Sequence, residues 1–206
     1  MKLRGLYAIT DSRLTPTPSI LEMVDKAISG GAAIVQLRDK NKPDKELLEM
    51  ATRLCRLCKD RGVIFIVNDR IELAKLTDAH GIHIGKDDID PSSARAMLPG
   101  KIIGVSCYNS LETAIEAEKA GADYVAFGSF FPSPTKPNAV EVPLRLLTQA
   151  RTSLRIPICA IGGIDPNNAI QTIYAGADMV AVISSLWEAP DVKAQAQRFA
   201  KLFHMR

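Results

Sequence analysis

The chain has 206 residues, of which 47% are hydrophobic and 24% charged, a balance typical of a globular domain rather than of disordered, collagen-like or coiled-coil proteins. Its 26 Lys and Arg against 23 Asp and Glu leave a net charge of +3, too small to indicate nucleic acid or a membrane surface as partner. No apolar run approaches the roughly 18 residues of a membrane span, no signal-peptide core follows the N-terminus, and four Cys make no disulfide framework. We therefore expect a single cytoplasmic domain over residues 1–206.

Short apolar or β-branched runs alternate with longer segments of helical period along the chain, which is the pattern of parallel βα units. Eight runs have the length and composition of buried strands. They are residues 6–10, 34–37, 63–67, 81–84, 102–106, 124–127, 158–161 and 179–183. An internal repeat supports this periodicity, because the segment 120–126 recurs as 175–181, each with Ala-Gly-Ala-Asp leading into a strand.

Several predicted helices carry recognisable end signals. Ser19 followed by Glu22 predicts a capping box. Asp90 and Asp165 each precede a proline, which predicts an N-cap followed by proline in the first turn. Glycines 121 and 176 lie where left-handed C-terminal caps belong.

Eight βα units in one domain predict an α/β fold, the closed (β/α)₈ TIM barrel. The alternative is an open doubly wound sheet, but no G-x-G-x-x-G motif follows the first strand. In a TIM barrel the active site lies at the C-terminal ends of the strands. The polar residues at those ends are therefore the candidates for chemistry.

Charged and polar side chains follow several predicted strands. Three cations with neutral donors suit a pyrophosphate, and carboxylates are ligands that Mg²⁺ accepts together with phosphate oxygens. Backbone amides after the seventh and eighth strands stand at the usual phosphate site of this barrel. The sequence thus predicts two anion sites in one mouth, one of them with a metal. The candidates are the cations Arg38, Lys40 and Lys136, the donors Asn68 and Ser106, the carboxylates Asp69 and Asp88, and the amides of 162–163 and 184–185.

Some of these residues also allow plainer interpretations. A single rim cation is most often only solvated, and Gly162-Gly163 is equally compatible with a tight turn. His83 fits a packed, hydrogen-bonded side chain better than a base. Cys55-x-x-Cys58 lies on the apolar stripe of a helix without a second ligand pair, which favours core over zinc or redox chemistry.

Seven short stretches, in order and spacing, resemble the thiamine-phosphate synthase family. They are residues 35–40, 67–69, 81–85, 104–106, 121–124, 134–137 and 160–164. The resemblance covers nearly the whole chain, from residue 5 to residue 184.

This resemblance implies a transferase that joins a hydroxymethylpyrimidine pyrophosphate to a thiazole phosphate, carboxylated or decarboxylated, by a dissociative, carbocation-type substitution. Thiamine phosphate and pyrophosphate would be the products. The partners would be the small-molecule substrates, with no nucleic acid and no membrane, and a homo-oligomer stays open. It implies Mg²⁺ on Asp69 and Asp88. By the same resemblance the pyrimidine pyrophosphate would contact Gln36, Arg38, Lys40, Asn68, His83, Ser106 and Lys136. Of these, Lys136, Arg38 and Ser106 would be catalytic. The thiazole phosphate would contact Ser133, Thr135, Gly163, Ile183 and Ser184.

Three residues depart from the family pattern, Lys86, Ser133 and Cys107, but none removes a required donor or ligand. The alternatives are a thiazole tautomerase of the same superfamily, another phosphate-barrel isomerase or aldolase, and a non-catalytic ligand-binding barrel. Tautomerases tend to lack the lysine and the Asn-Asp pair that stand here as Lys40, Asn68 and Asp69.

Overall fold

A computed structural model describes residues 2–132 and 141–205, which form a closed barrel of eight parallel strands. Each strand pairs with the next along the chain, and the last pairs with the first. The predicted TIM barrel is confirmed, and the open sheet is excluded. The strands are β1 (Gly5–Ile9), β2 (Ala32–Leu37), β3 (Ile64–Asn68), β4 (Gly81–Ile84), β5 (Ile102–Tyr108), β6 (Tyr124–Phe127), β7 (Ile158–Ile161) and β8 (Met179–Val182).

Helices connect the strands and cover the outside of the barrel. They are α1 (Ile20–Ser29), α2 (Asp44–Asp60), α3 (Ile71–Leu76), α4 (Pro91–Met97), α5 (Leu111–Lys119), α6 (Arg145–Ser153), α7 (Ala169–Ala175), α8 (Ser184–Trp187) and α9 (Val192–Leu202). The short α8 follows β8 directly, and α9 completes the outer layer by packing against α1.

The strands are apolar on both faces because two separate cores flank them. The outer core lies between the sheet and the helices and includes buried side chains such as Val24, Leu54 and Phe199. The inner core fills the barrel, so the barrel is packed rather than hollow. Its buried members are Tyr7, Ile9, Ile34, Ile64, Ile66, Tyr124, Ala126, Cys159, Met179 and Ala181.

The internal repeat has a structural explanation at the end of the barrel opposite the mouth. Asp123 Oδ2 accepts a backbone N–H of β5 at 2.7 Å and pairs with Arg95 of α4 at 2.5 Å. Asp178 Oδ2 accepts the first N–H of β7 at 2.9 Å and pairs with Arg151 of α6 at 2.8 Å. Each repeated aspartate therefore ties the start of a strand to the preceding helix.

The helix-end predictions had mixed outcomes. Asp90 accepts the N–H of Ser93 at 3.0 Å at the start of α4, as predicted. Ser19 occupies the N-cap position of α1, but its hydroxyl donates to the Pro16 carbonyl at 3.3 Å and caps no N–H. Glu22 pairs with Lys26, so the predicted capping box is wrong.

Asp165 makes the contacts of the predicted N-cap, although they lie in the turn that precedes α7. Its Oδ1 accepts the N–H groups of Asn167 and Asn168 in a turn, and α7 begins only at Ala169. The glycine predictions are confirmed, since Gly121 and Gly176 follow their helices with φ of +92° and +125°.

All four cysteines are buried and free. Cys55 and Cys58 belong to the outer core on α2, as their position on the apolar stripe predicts. Cys107 lies on β5, and Cys159 points into the inner core from β7. Within residues 2–132 and 141–205, no helix combines the length and apolarity needed to span a bilayer.

Candidate active site

Two cations stand at the exit of β2 with no ion-pair partner among the described residues. Arg38 is half-buried and Lys40 is exposed, and in the described part of the chain the side chain of neither forms a hydrogen bond or ion pair. The backbone beneath them is fixed, because the Arg38 N–H donates to Thr10 Oγ1 at 2.9 Å. Unpaired cations on a fixed loop are suited to an anionic ligand.

Carboxylates follow the neighbouring strands. Asp69 comes directly after β3 with a φ of +51°, and Asn68 donates its Nδ2 to Asp69 Oδ2 at 2.6 Å. Asp88 is exposed in the loop after β4, where its Oδ2 accepts the N–H of Gly85 at 2.7 Å. Burial raises the pKa of the Asp69 carboxyl, and the negative charge of Asp88 raises it further.

Arg70, to which the sequence analysis assigned no role, connects Asp69 to the loop that carries Arg38 and Lys40. Its Nη2 donates to the Asp39 carbonyl at 2.7 Å, and its guanidinium pairs with Asp44 at the start of α2. Its Nε also lies 3.8 Å from Asp69 Oδ1. Arg70 therefore holds the loop that carries Arg38 and Lys40 next to the exit of β3.

A continuous hydrogen-bonded set, which we call the interior network, crosses the barrel below these charges. Gln36 donates its Nε2 to Tyr7 Oη at 2.6 Å. Tyr7 Oη and Tyr124 Oη are 2.8 Å apart, and Tyr124 Oη lies 2.9 Å from His83 Nδ1. His83 Nε2 then lies 2.8 Å from Ser106 Oγ. Three predicted substrate contacts are thus joined through two tyrosines.

Burial keeps the interior network uncharged. It lowers the pKa of His83 to about 4, so the imidazole is neutral near pH 7. It also raises the pKa of both Tyr7 and Tyr124 above the usual range of a phenol. The prediction of a hydrogen-bonded His83 rather than a base agrees with these contacts.

Gly104 makes room for Tyr124 inside the barrel. A Cβ at this position would lie 2.0 Å from the Tyr124 Cζ and 2.3 Å from its Oη. The ring instead stacks beside His83, with centroids 5.6 Å apart and an angle of 27° between the planes. The glycine in the 104–106 stretch is therefore required by the tyrosine on the next strand.

The exits of β7 and β8 are built from tight turns. Gly162 and Gly163 have φ of +100° and +62°, and a Cβ on Gly163 would lie 2.4 Å from the carbonyl oxygen of Phe131. Both the turn and the close backbone approach require glycine here. Ser185 Oγ donates to the Ile164 carbonyl at 2.6 Å, which joins this turn to α8.

The predicted thiazole-phosphate contacts divide between described and undescribed parts of the chain. Gly163 lies in the turn after β7, Ile183 precedes α8, and Ser184 is its first residue. The backbone N–H groups at a helix start have no acceptor within the helix. The other two, Ser133 and Thr135, lie outside the described residues, as does Lys136, which was predicted to contact the pyrophosphate.

The two described departures from the family pattern do not disturb the mouth. Lys86 is exposed and, with Asp88 and Ser106, lines a cavity of about 770 Å³ beside the exits of β4 and β5. Cys107 is buried on the opposite face of β5, where burial raises its thiol pKa to about 12. Its thiol is therefore no nucleophile near pH 7.

Tyr7 and Tyr124 are further residues that the sequence reasoning assigned no role. A signal for them was present, because alternation in β1 and β6 points both side chains inward, where a phenol needs a hydrogen-bonding partner. The partners themselves could not be read from the sequence, since Tyr7 and Tyr124 are 117 positions apart.

A (β/α)₈ barrel whose mouth gathers two cations, two carboxylates and glycine-lined turns has the construction of an enzyme that acts on phosphorylated substrates. The chain matches the family described as thiamine monophosphate synthase over residues 6–186. It therefore belongs to the thiamine monophosphate synthase family.

Relatives and solved structures agree with this membership. The chain is 48% identical to the thiamine-phosphate synthase of Thioalkalivibrio sulfidiphilus, covering 99% of this chain and 97% of that one. It is 46% identical to the thiamine-phosphate synthase of Aromatoleum aromaticum, covering 98% of this chain and 97% of that one. The thiamine phosphate pyrophosphorylase of Pyrococcus furiosus superposes with a TM-score of 0.90 at 39% identity, covering 98% and 96%. The predicted enzyme class, a transferase of the thiamine-phosphate synthase type, is confirmed, and the tautomerase and the non-catalytic barrel are not favoured.

Proposed function

We propose that this chain joins a hydroxymethylpyrimidine pyrophosphate to a thiazole phosphate, releasing pyrophosphate and forming thiamine phosphate. The observation that carries the proposal is the position of Arg38 and Lys40, which have no ion pair among the described residues, next to the carboxylates Asp69 and Asp88. Family membership supplies the two substrates.

The cations at the exit of β2 would hold the pyrophosphate, with Asn68, Ser106 and Lys136 as further donors. Ionisation of the bond between the pyrimidine methylene carbon and the pyrophosphate oxygen leaves its electron pair on the departing pyrophosphate. Cations already in place stabilise that developing charge more than they stabilise the bound substrate. The thiazole nitrogen then forms the new C–N bond to the pyrimidinylmethyl cation, so no protein nucleophile is required.

A divalent metal fits the acidic pair at this mouth. In the described part of the chain no group of three or more His, Cys, Asp or Glu side chains could hold a metal ion. The negative charge of Asp88 disfavours ionisation of Asp69, and a divalent cation would offset this cost. Mg²⁺ takes one or two carboxylates and completes its shell with phosphate oxygens and water. Asp69 and Asp88 would hold it, and it would supply charge neutralisation for the pyrophosphate.

The two organic groups would occupy different sides of the mouth. Gln36 and His83 would orient the pyrimidine, since they combine in the interior network with a neutral imidazole. Backbone at Gly163, Ile183 and Ser184 would bind the thiazole phosphate, together with Ser133 and Thr135. A short helix after β8 is a frequent element of phosphate sites in this fold.

The direct test incubates purified protein with Mg²⁺ and both substrates and measures pyrophosphate release together with a thiochrome-forming product. Arg38→Met should lower kcat by about 10²–10³-fold, the usual effect of removing one preorganised electrostatic donor. Arg53→Met, which removes an exposed cation on α2, is the matched control and should leave kcat unchanged. Thiazole isomerisation without any need for the pyrimidine substrate would instead identify a tautomerase.

The metal assignment has its own test. Excess EDTA should abolish turnover without lowering the Tm, because the carboxylates lie at the mouth rather than in a core. Full turnover in EDTA would remove Mg²⁺ from the proposal. A cytoplasmic location completes the proposal and is tested by cell fractionation, and light scattering measures the oligomeric state that the sequence leaves open.

A further inference from the structure

The interior network has a direction that follows from its first donor. The Gln36 Nε2 group can only donate, and it lies 2.6 Å from Tyr7 Oη. Tyr7 is 1% exposed, and its hydroxyl hydrogen must therefore find an acceptor within the barrel. The acceptor in reach is Tyr124 Oη at 2.8 Å. The hydrogen bond between the tyrosines thus runs from Tyr7 to Tyr124.

The same reasoning continues to the mouth. Tyr124 Oη accepts from Tyr7 and so donates its own hydrogen to His83 Nδ1 at 2.9 Å. An imidazole whose Nδ1 accepts a hydrogen bond carries its ring hydrogen on Nε2. That hydrogen is donated to Ser106 Oγ at 2.8 Å. Ser106 Oγ accepts within the barrel, and with no other partner among residues 2–132 and 141–205 its hydroxyl hydrogen is left for a ligand.

We propose that the interior network fixes His83 as the Nε2-protonated tautomer and makes the Ser106 hydroxyl a donor to the anion bound at the mouth. Tyr7 and Tyr124 are then positioning residues, since they act on the ligand only through His83 and Ser106. The donor role rests on the proposed function, in which that anion is the pyrophosphate. The tautomer of His83 does not depend on the proposed function.

The opposite direction is the competing arrangement. It would run from Ser106 to His83 Nε2, from His83 Nδ1 to Tyr124, and onward to a carbonyl oxygen of the glutamine side chain. The structure instead places Gln36 Nε2 on Tyr7. The opposite direction would also turn a lone pair of Ser106 toward an anion, whereas a hydroxyl donor gains a charge-assisted hydrogen bond.

Nuclear magnetic resonance tests the tautomer without any substrate. Long-range ¹H–¹⁵N correlation at pH 7.5 should show His83 with a protonated Nε2 and an unprotonated Nδ1. The sequence contains three histidines, and the signal is assigned by its loss in His83→Gln. Addition of Mg²⁺ and inorganic pyrophosphate should leave this tautomer unchanged. A protonated Nδ1 in the free protein overturns the proposal.

Kinetics test the positioning role. Tyr124→Phe should lower kcat about tenfold, the effect of one lost hydrogen bond, with a smaller change in KM. In a Ser106→Ala background Tyr124→Phe should lower kcat no further, because the Ser106 hydroxyl through which Tyr124 acts on the ligand is already missing. Tyr174→Phe, at a tyrosine 63% exposed, is the control and should match the unsubstituted enzyme.

The outcomes separate the two proposals. An equal tenfold loss in both backgrounds would mean that Tyr124 acts only on the structure, and it overturns the positioning role. If the unsubstituted protein releases no pyrophosphate, the proposed function fails, and the resonance experiment then decides the tautomer alone. Tyr7→Phe repeats the kinetic test one step further from the ligand should Tyr124→Phe not fold.

Discussion

His83 is held neutral in the folded barrel, whereas the same side chain in the unfolded chain titrates near its ordinary pKa. Burial lowers the folded value from 6.5 to about 4. Between these two pH values the unfolded chain binds a proton that the folded chain does not, so the free energy of unfolding falls as the pH drops from about 6.5 to about 4. Above pH 6.5 this contribution is complete.

Urea unfolding at pH 7.5 and pH 5 measures this dependence. His83→Gln should flatten it, because glutamine does not titrate. Burial also lowers the pKa of His80, which remains in the variant and contributes in the same direction. The dependence of the free energy of unfolding on pH should therefore become weaker in the variant but not disappear. An unchanged slope in His83→Gln would contradict the assigned protonation.

Asp69 is a site where stability and function are in conflict. Its carboxylate is disfavoured by burial and by Asp88, and its φ of +51° is a backbone conformation that Asn accepts more readily. We expect Asp69→Asn to raise the free energy of unfolding by roughly 0.5–1 kcal/mol in Mg²⁺-free buffer while removing most of the turnover. Asp60→Asn, at the exposed end of α2, is the control. A destabilised Asp69→Asn would show that the carboxylate supports the fold.

At the scale of elements, β5 and β6 depend on each other through one glycine. A Cβ on Gly104 would overlap the Tyr124 ring, so Gly104→Ala should lower the free energy of unfolding by roughly 1–3 kcal/mol, as overpacking does. In a Tyr124→Leu background, where the ring is absent, the same substitution should cost much less. Equal costs in the two backgrounds, measured by urea unfolding, would contradict this packing argument.

The repeated aspartates hold the barrel at the end away from the mouth. Asp178→Ala leaves a strand N–H without its acceptor and the Arg151 guanidinium without its carboxylate, and should lower the free energy of unfolding by about 1–3 kcal/mol. The kcat measured well below the Tm should stay unchanged, because the active site lies at the opposite strand ends. A loss of kcat without a loss of stability would contradict the separation of the two ends.

Sequence predicted the elements better than their ends. The β4, β6 and β7 strands begin and end at the predicted residues, because apolar composition and flanking turns define a buried strand. Helix caps depend on which of several local partners a side chain takes. Glu22 pairs with Lys26 instead of closing the capping box, and this choice is not visible in the spacing of residues.

At the scale of the whole molecule, barrel closure explains which parts of the site could be predicted. Parallel strands bring their C-terminal ends to one rim, so Arg38, Asp69 and Asp88 could be assigned together from their positions after strands. The interior network could not be assigned in this way. It depends on contacts across the barrel between side chains far apart in sequence, and on the space that Gly104 leaves.

The rates at which the four buried thiols react with a reagent report how often the structure around each of them opens. Burial raises the pKa of the Cys58 thiol to about 12 and that of Cys159 above the usual range, so a thiol reagent at pH 7 reacts only after the surrounding structure opens. A helix on the surface can detach while the barrel stays closed, whereas exposing a thiol inside the barrel requires the strands to part. We therefore expect labelling with a chromogenic disulfide reagent, followed by peptide mapping, to reach Cys55 and Cys58 on α2 well before Cys159 on β7. Simultaneous labelling of all four would mean that the barrel and its outer layer open as one unit.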